Sequence, residues 1–413
     1  MEKAFLDMSK ILITGNGFDL FHHLPTKYNH FISIMITIED VVYESDVSFE
    51  ELFGRVFKRK DLGDYDLIIE NYNTNNIKFD LDKINRIKQL LETNLWYKHF
   101  KNVSKLETWI DFEMEIETIL NLLAIFDIHK SKKAVEKNMF ENSLVIYSAF
   151  EAFGIVKLDG NLGSFILNDE FINKRNRLID VKKILEDLVK SFEEFIVIFN
   201  RYLVDIVSVF YNEIKQKSFI PFGLINEIYT FNYTPTLENI YKIDKSKIVY
   251  LHGKINEDCQ KQNLVLGISE ISEEIKKNKA FDFTKYHQKI IKRTNEKFID
   301  VPKSLKSSWR ETVFYIIGHS LDQSDKEYII DLFKFLEFDN DKLSKICVFC
   351  YDKKDEINKL KNLLSISKIN KEFIVEMNKE GRLYFTTLNN ENIMKEFNKE
   401  LYVRGGLEIG IIG

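Results

Sequence analysis

Four short segments bring together residue types that can hold a nucleotide and act on it. Gly15-Asn16-Gly17-Phe18-Asp19 directly follows the apolar run Lys10 to Thr14. Glycines at a strand-to-helix turn let backbone amides approach a pyrophosphate, and a helix N-terminus behind them favours the anion. The third glycine of the usual dinucleotide fingerprint is missing, so a structural tight turn is the competing account. Tyr229-Thr230-Phe231-Asn232 closes a second strand-like run. A polar side chain there is well placed for a ligand, or Asn232 simply caps the helix that starts near Thr234. Tyr250-Leu251-His252-Gly253 closes a third run. The imidazole can serve as a general base near neutral pH and the glycine leaves room for a substrate, although an isolated His-Gly also makes a plain turn. In Ile317-Gly318-His319-Ser320, backbone amides and the Ser320 hydroxyl can meet phosphate or ribose, or the turn is an ordinary β-to-α connection.

Each segment ends an apolar run of strand length. Such runs occupy Lys10 to Gly15, Ile225 to Phe231, Ile248 to Leu251, Leu264 to Ile268, Val313 to Ile317, Ile346 to Tyr351 and Leu383 to Thr387, with helix-like stretches such as Glu327 to Leu336 and Lys354 to Leu364 between them. Alternating β and α with apolar strands predicts an α/β fold with a Rossmann-like, mainly parallel sheet. Between about residues 31 and 220 the pattern turns to helical periods. Val181, Leu185, Leu188, Phe192, Phe195, Phe199, Tyr202 and Ile206 form one apolar stripe there, the pattern of a core or interface face. The expected organisation is a core of 1–30 and 221–413, interrupted by a mainly α-helical insertion over 31–220. Ser269 to Lys306 is charged and reads as an excursion from the sheet.

Composition narrows the function classes. The chain has 413 residues, of which 45% are hydrophobic and 30% charged, the balance of a globular protein. A net charge of -5 and a pI near 6.0 argue against a protein built to coat nucleic acid. The opening MEKAFLDMSK lacks the apolar stretch of a secretory signal and no run reaches the ~18 residues of a membrane span, so a cytoplasmic location is expected. Cys347 and Cys350 form a C-x-x-C, but they lie in the apolar run KICVFCYD and no second pair completes a zinc site. His22, His23 and His30 cluster near the first loop without a ligand partner set. No metal is assigned.

Taken in order, the four segments resemble the nucleotide-binding core of the sirtuin superfamily. Gly15-Asn16-Gly17 stands for its G-A-G, Leu24-Pro25-Thr26-Lys27-Tyr28 for the proline-containing loop after it, Thr230-Phe231-Asn232 for T-Q-N, His252-Gly253 for H-G and Gly318-His319-Ser320 for G-x-S. The combination GNGFDL, LPTKY, TFNYT, LHG and IIGHSL, with Asp325 downstream, resembles the AbiH family of bacterial abortive-infection proteins over nearly the whole chain. The segment Trp109-Ile-Asp111-Phe-Glu113 adds to that likeness, and a helix start with an aromatic anchor explains it as well. Three departures matter: the zinc-module cysteines of a deacylating sirtuin have no counterpart between His252 and Gly318, Phe231 replaces the glutamine of T-Q-N, and Tyr28 stands where the sirtuin loop has arginine.

The resemblance implies an anti-phage protein that hydrolyses NAD to nicotinamide and ADP-ribose, with no prosthetic group. It makes Asn232 and His252 catalytic. Gly15, Asn16, Gly17, Phe18, Asp19, Thr26, Tyr28, Thr230, Gly253, Gly318 and Ser320 would line the nucleotide. Gly15, Gly17 and Ser320 would hold the pyrophosphate or adenosine side, and Asp19 the ribose hydroxyls. A sensor that binds NAD or ADP-ribose without turnover is the alternative. The long helices imply self-association or a regulatory protein partner.

Overall fold

In the computed structural model, residues 9–398 are described apart from 59–63, 105–110, 129–148, 160–163, 176, 216–219, 221, 223–224, 278, 295–297, 300–311 and 338–342. The chain forms two compact units, one of residues 1–24, 214–254 and 295–413, the other of residues 25–213 and 255–294.

The first unit is built on six strands: β1 (Ser9–Thr14), β2 (Glu227–Thr230), β3 (Ile248–Tyr250), β4 (Thr312–Ile317), β5 (Lys345–Cys350) and β6 (Leu383–Thr387). All the pairings are parallel, and across the sheet the strands run β3-β2-β1-β4-β5-β6. That is the doubly wound order of a dinucleotide-binding fold, whose direction of winding reverses between β1 and β4. Its helices are α1 (Asn16–Phe21), α2 (Thr236–Tyr241), α3 (Lys326–Glu337), α4 (Lys353–Ser365), α5 (Lys371–Lys379) and α6 (Asn390–Phe397).

Alternate strand residues enter two separate cores. Ile11, Ile13, Phe314, Ile316, Ile346 and Val348 pack with Ile329, Phe333 and Leu336 of α3 on one face. Leu12, Val313, Tyr315, Ile317, Cys347 and Phe349 pack with Phe18, Leu237, Ile393 and Phe397 on the other. Burial on both faces is why these strands read as unbroken apolar runs, and it places both cysteines inside β5 as buried thiols outside any disulfide.

The second unit centres on the helix Val181–Arg201, which continues through Tyr202–Ile206 in wider turns and Val207–Asn212 in tighter ones. Asp180, Asp80 and Asn94 cap helix starts by accepting the amides of Lys183, Lys83 and Tyr97. The apolar stripe of the long helix meets an aromatic core. Phe31 lies 5.2 Å from Phe199, Phe112 lies 4.3 Å from Phe100, and the Trp96 indole donates to the Leu188 carbonyl at 3.0 Å. Asp111 caps the helix Phe112–Ile128 through the Glu113 amide, and Glu113 pairs with the buried Lys285 at 2.8 Å. Trp109 lies outside the described residues. Among the described residues no helix is long and apolar enough to cross a membrane.

One predicted strand is absent and the unit boundary moves with it. Leu264 to Ile268 is buried, but only Ile268 makes an isolated bridge, to Thr284. Buried backbone must be hydrogen-bonded, and here side chains do it: the Gln288 amide accepts from the Leu266 N–H at 3.2 Å and donates to its carbonyl at 2.6 Å. Asn200 grips Asn256 in the same way, at 3.0 and 2.8 Å. Residues 255–294 accordingly group with the helical unit, where the sequence had suggested a core running unbroken from 221 to 413. Part of the charged stretch forms short helices, Glu273–Lys277 and Lys285–Ile291.

At the winding reversal the β1 and β4 loops interlock. Gly15 N–H donates to Ile317 O at 3.1 Å and Gly17 N–H to Gly318 O at 2.8 Å. Gly318 has φ +72°, and a Cβ there would lie 2.1 Å from the Phe18 nitrogen. Gly318→Ala therefore combines a left-handed backbone penalty with a clash against main chain, and should lower stability by at least about 2 kcal/mol. Thermal unfolding followed by circular dichroism tests this, and a wild-type Tm would contradict it.

Candidate functional site

The carboxyl ends of β1, β2, β3 and β4 carry the sequence-selected residues other than Thr26 and Tyr28 to one end of the sheet, beside the winding reversal where α/β folds bind ligands. At the end of β2, Thr230 Oγ1 accepts from Thr14 Oγ1 at 2.8 Å and from the Asn232 amide N–H at 3.1 Å. This ties the Asn232 backbone to the β1–β2 pair. Asp19, on the first turn of α1, is buried. Its two oxygens accept from Thr234 Oγ1 at 2.5 Å and Thr236 Oγ1 at 2.6 Å. The Asn232 side chain also bonds to Asp19. Since a carboxylate accepts, Asn232 must give its NH₂ to that contact. Its Oδ1 is then the group left over, and it is buried without a hydrogen-bond partner. Buried acceptors of this kind are rare and mark a place for a water or a ligand donor.

Burial outweighs the three hydrogen bonds and raises the Asp19 carboxyl to about 6. The sequence reading gave Asp19 to ribose hydroxyls, but in the structure its carboxylate is engaged in orienting Asn232. The glycines differ likewise. The Gly15 and Gly17 amides expected at a pyrophosphate are donated to the β4 loop, and α1 is only six residues long. At the rim Asn16 and Ser320 are exposed. Phe18 is fully buried in the core, and Gly253 turns the chain with φ +80°.

His252 follows β3 and is buried, with Nε2 3.1 Å from Asp325 Oδ1. His319, after β4, is buried too and places Nε2 3.4 Å from Asp325 Oδ2. Neither contact has the alignment of a linear hydrogen bond. Asp325 sits just ahead of α3, in the short turn Gln323–Asp325. His319 Nδ1 accepts the Leu321 N–H at 3.0 Å, so the neutral ring carries its proton on Nε2, facing the carboxylate. Leu321 reaches back through a left-handed backbone, φ +55°, a strained conformation for leucine of the kind that gathers at functional sites. Phe231 walls both imidazoles, its ring centroid 5.2 Å from His252 and 4.2 Å from His319. By sequence His319 is only the variable residue of G-x-S. Its histidine identity, and the aspartate six residues on, were the signal available.

Thr26 and Tyr28 fall in the second unit. Thr26 is buried, and the Tyr28 ring is stacked on Phe112 at 4.2 Å. His22 is a satisfied core residue: its Nδ1–H donates to Phe18 O at 2.7 Å, its Nε2 accepts from Tyr241 Oη at 2.5 Å, and burial lowers it to about 4. His30 is held against Asp64 at 2.8 Å in the helical unit. Among the described residues no group of three or more His, Cys, Asp or Glu side chains is arranged to hold a metal ion.

A family model described as bacteriophage abortive infection AbiH matches residues 11–346, which takes in all four loops and the insertion. The chain belongs to the AbiH family. The switch-point glycines and the His252–Asp325–His319 cluster lie within the matched stretch, as do the strands β2, β3 and β4, whereas β6 lies beyond it. Neither the curated proteins nor the solved structures provide a match to this AbiH chain. Family membership places it with the phage abortive-infection proteins.

The raised Asp19 carboxyl has a measurable consequence. The folded chain holds a proton between about pH 4 and 6 that an unfolded aspartate has released. This contribution favours folding below pH 4 and is lost as pH rises through about 6. The stability of wild type relative to Asp19→Asn should therefore fall between pH 4 and 7 by on the order of 2–3 kcal/mol. Denaturant unfolding across that range measures it; a constant difference would refute the assignment.

Proposed function

We propose that this AbiH protein is an NAD glycohydrolase whose site lies at the carboxyl edge of the sheet, with Asn232 and His252 as its catalytic pair. One observation carries the reading: the buried, unpartnered Asn232 Oδ1 and the carboxylate-backed His252 stand at adjacent strand ends beside the winding reversal. A hydroxyl or water donating to Asn232 Oδ1 would supply the missing partner. The sirtuin-like order of motifs agrees with this chemistry.

Nicotinamide leaves NAD as a neutral molecule, so the C1′–N bond breaks with its electron pair going to the ring nitrogen and no acid is needed. The enzyme must then support an oxocarbenium-like ribose and deliver water to C1′. Asn232 Oδ1 would orient that water or the ribose, and His252 would take the proton the water loses. The products are nicotinamide and ADP-ribose. Exposed Asn16 and Ser320 at the rim suit the phosphates, while the buried floor of Asn232 and His252 provides the water-poor setting in which fixed dipoles act strongly. The glycine amides take no part in holding the pyrophosphate; Gly15, Gly17 and Gly318 shape the crevice instead. A homo-oligomer or a regulatory protein, contacted through the helical insertion, would restrain an activity that consumes the host's NAD.

Purified protein incubated with NAD should release nicotinamide and ADP-ribose, followed by chromatography. Asn232→Ala and His252→Ala should each lower kcat by ~10²- to 10⁴-fold while nucleotide affinity changes little. Full activity in His252→Ala would refute the site. Retained binding of NAD or ADP-ribose with no product from wild type would favour the sensor reading.

A further inference from the structure

We propose that Asp325 is the positioning residue of this site: one carboxylate oxygen holds His252 at Nε2 and so makes Nδ1 its basic nitrogen, while His319 holds the other oxygen. The inference rests on the hydrolase reading for its reaction, but on geometry for its residues.

Three separate segments converge. His252 comes from the end of β3, His319 from the end of β4, and Asp325 from the turn before α3. Each Nε2 faces a different oxygen of one carboxylate, at 3.1 and 3.4 Å, and the Asp325 side chain is only 11% exposed. The Leu321 N–H on His319 Nδ1 leaves that ring's proton on Nε2, 3.4 Å from one carboxylate oxygen, while the other oxygen lies 3.1 Å from His252 Nε2. A carboxylate on one imidazole nitrogen fixes the tautomer and raises the basicity of the other, the arrangement by which general bases are oriented. The aromatic surround limits screening: Phe231, Tyr233 and Tyr328 lie about the His252 ring, with Tyr328 Oη donating to the Leu251 carbonyl at 3.2 Å. Among the described residues, the titratable groups about His252 include Asp325, His319, Tyr233 and Tyr328.

The sign of the pH effect follows. Removing the carboxylate charge makes His252 easier to deprotonate and a weaker base. In Asp325→Asn, kcat for NAD hydrolysis should fall ~10²-fold or more, the affinity for ADP-ribose should stay within about threefold, and the acidic limb of the rate profile should move to lower pH. Asp325→Glu, which keeps the charge, should recover part of kcat and return the limb toward wild type. Circular dichroism verifies folding, and histidine-selective NMR of the full-length protein gives a readout independent of turnover: the His252 ring should titrate at lower pH in Asp325→Asn. Wild-type kcat and an unmoved limb in Asp325→Asn would overturn the proposal. If wild type itself releases no nicotinamide, the hydrolase reading fails alone. The NMR titration then decides on Asp325, with a lowered His252 titration supporting it and an unchanged one overturning it. Should Asp325→Asn not fold, the same comparison between wild type and Asp325→Glu applies, and a Glu variant lacking both activity and the His252 shift pattern overturns the proposal.

Discussion

The interlock of two glycine loops at the winding reversal is the constraint on which the rest of the first unit depends. Gly15 and Gly17 press against Gly318 and the backbone of His319 so closely that a single added carbon at any of the three would meet main chain within 3 Å. Two amides are donated across the gap to Ile317 and Gly318. In a typical dinucleotide fold the space opened by glycines admits a pyrophosphate; here the opposing loop occupies it. The consequence is positional. With β1 and β4 locked at their carboxyl ends, the residues immediately after them, Asp19 on one side and His319 on the other, are held where the β2 and β3 loops can meet them.

From that lock two polar networks extend in opposite directions. Asp19 reaches the β2 loop and takes its two threonines and the Asn232 amide. His319 reaches Asp325 and, through it, His252 on the β3 loop. Each network contains a largely buried carboxylate, Asp19 or Asp325, set against the side chain it is proposed to orient. An incompletely matched buried polar group destabilises a fold by roughly 1–3 kcal/mol, so the unpartnered Asn232 Oδ1 and the left-handed Leu321 are features that packing alone would not favour. The proposed ligand-binding role would give both a purpose.

The fold was legible because both faces of the sheet are buried. Apolar runs such as Val313 to Ile317 carry no alternation to obscure them, and each ends where a glycine or polar residue leaves the sheet. The same rule misled at Leu264 to Ile268, since burial does not reveal whether neighbouring backbone or a side chain such as Gln288 supplies the hydrogen bonds. The candidate site was legible as a set of loop ends. Its internal wiring was not, because Asp19 and Thr234 lie far apart in sequence and meet only through the β1–β2 pairing. The roles of Asp19 and the glycine amides therefore shifted from ligand contacts to support. Tyr28 and Thr26, matched by order to a sirtuin loop, belong to the helical unit and its aromatic packing.

If the carboxyl edge spanning β3, β2, β1 and β4 is a nucleotide site, as proposed, ADP-ribose titrated into histidine-labelled protein will report it at the two imidazoles. Saturable shifts of the His252 and His319 ring signals, with His30 of the helical unit unmoved, are the predicted result. Saturable binding that leaves both of those rings unshifted would contradict it.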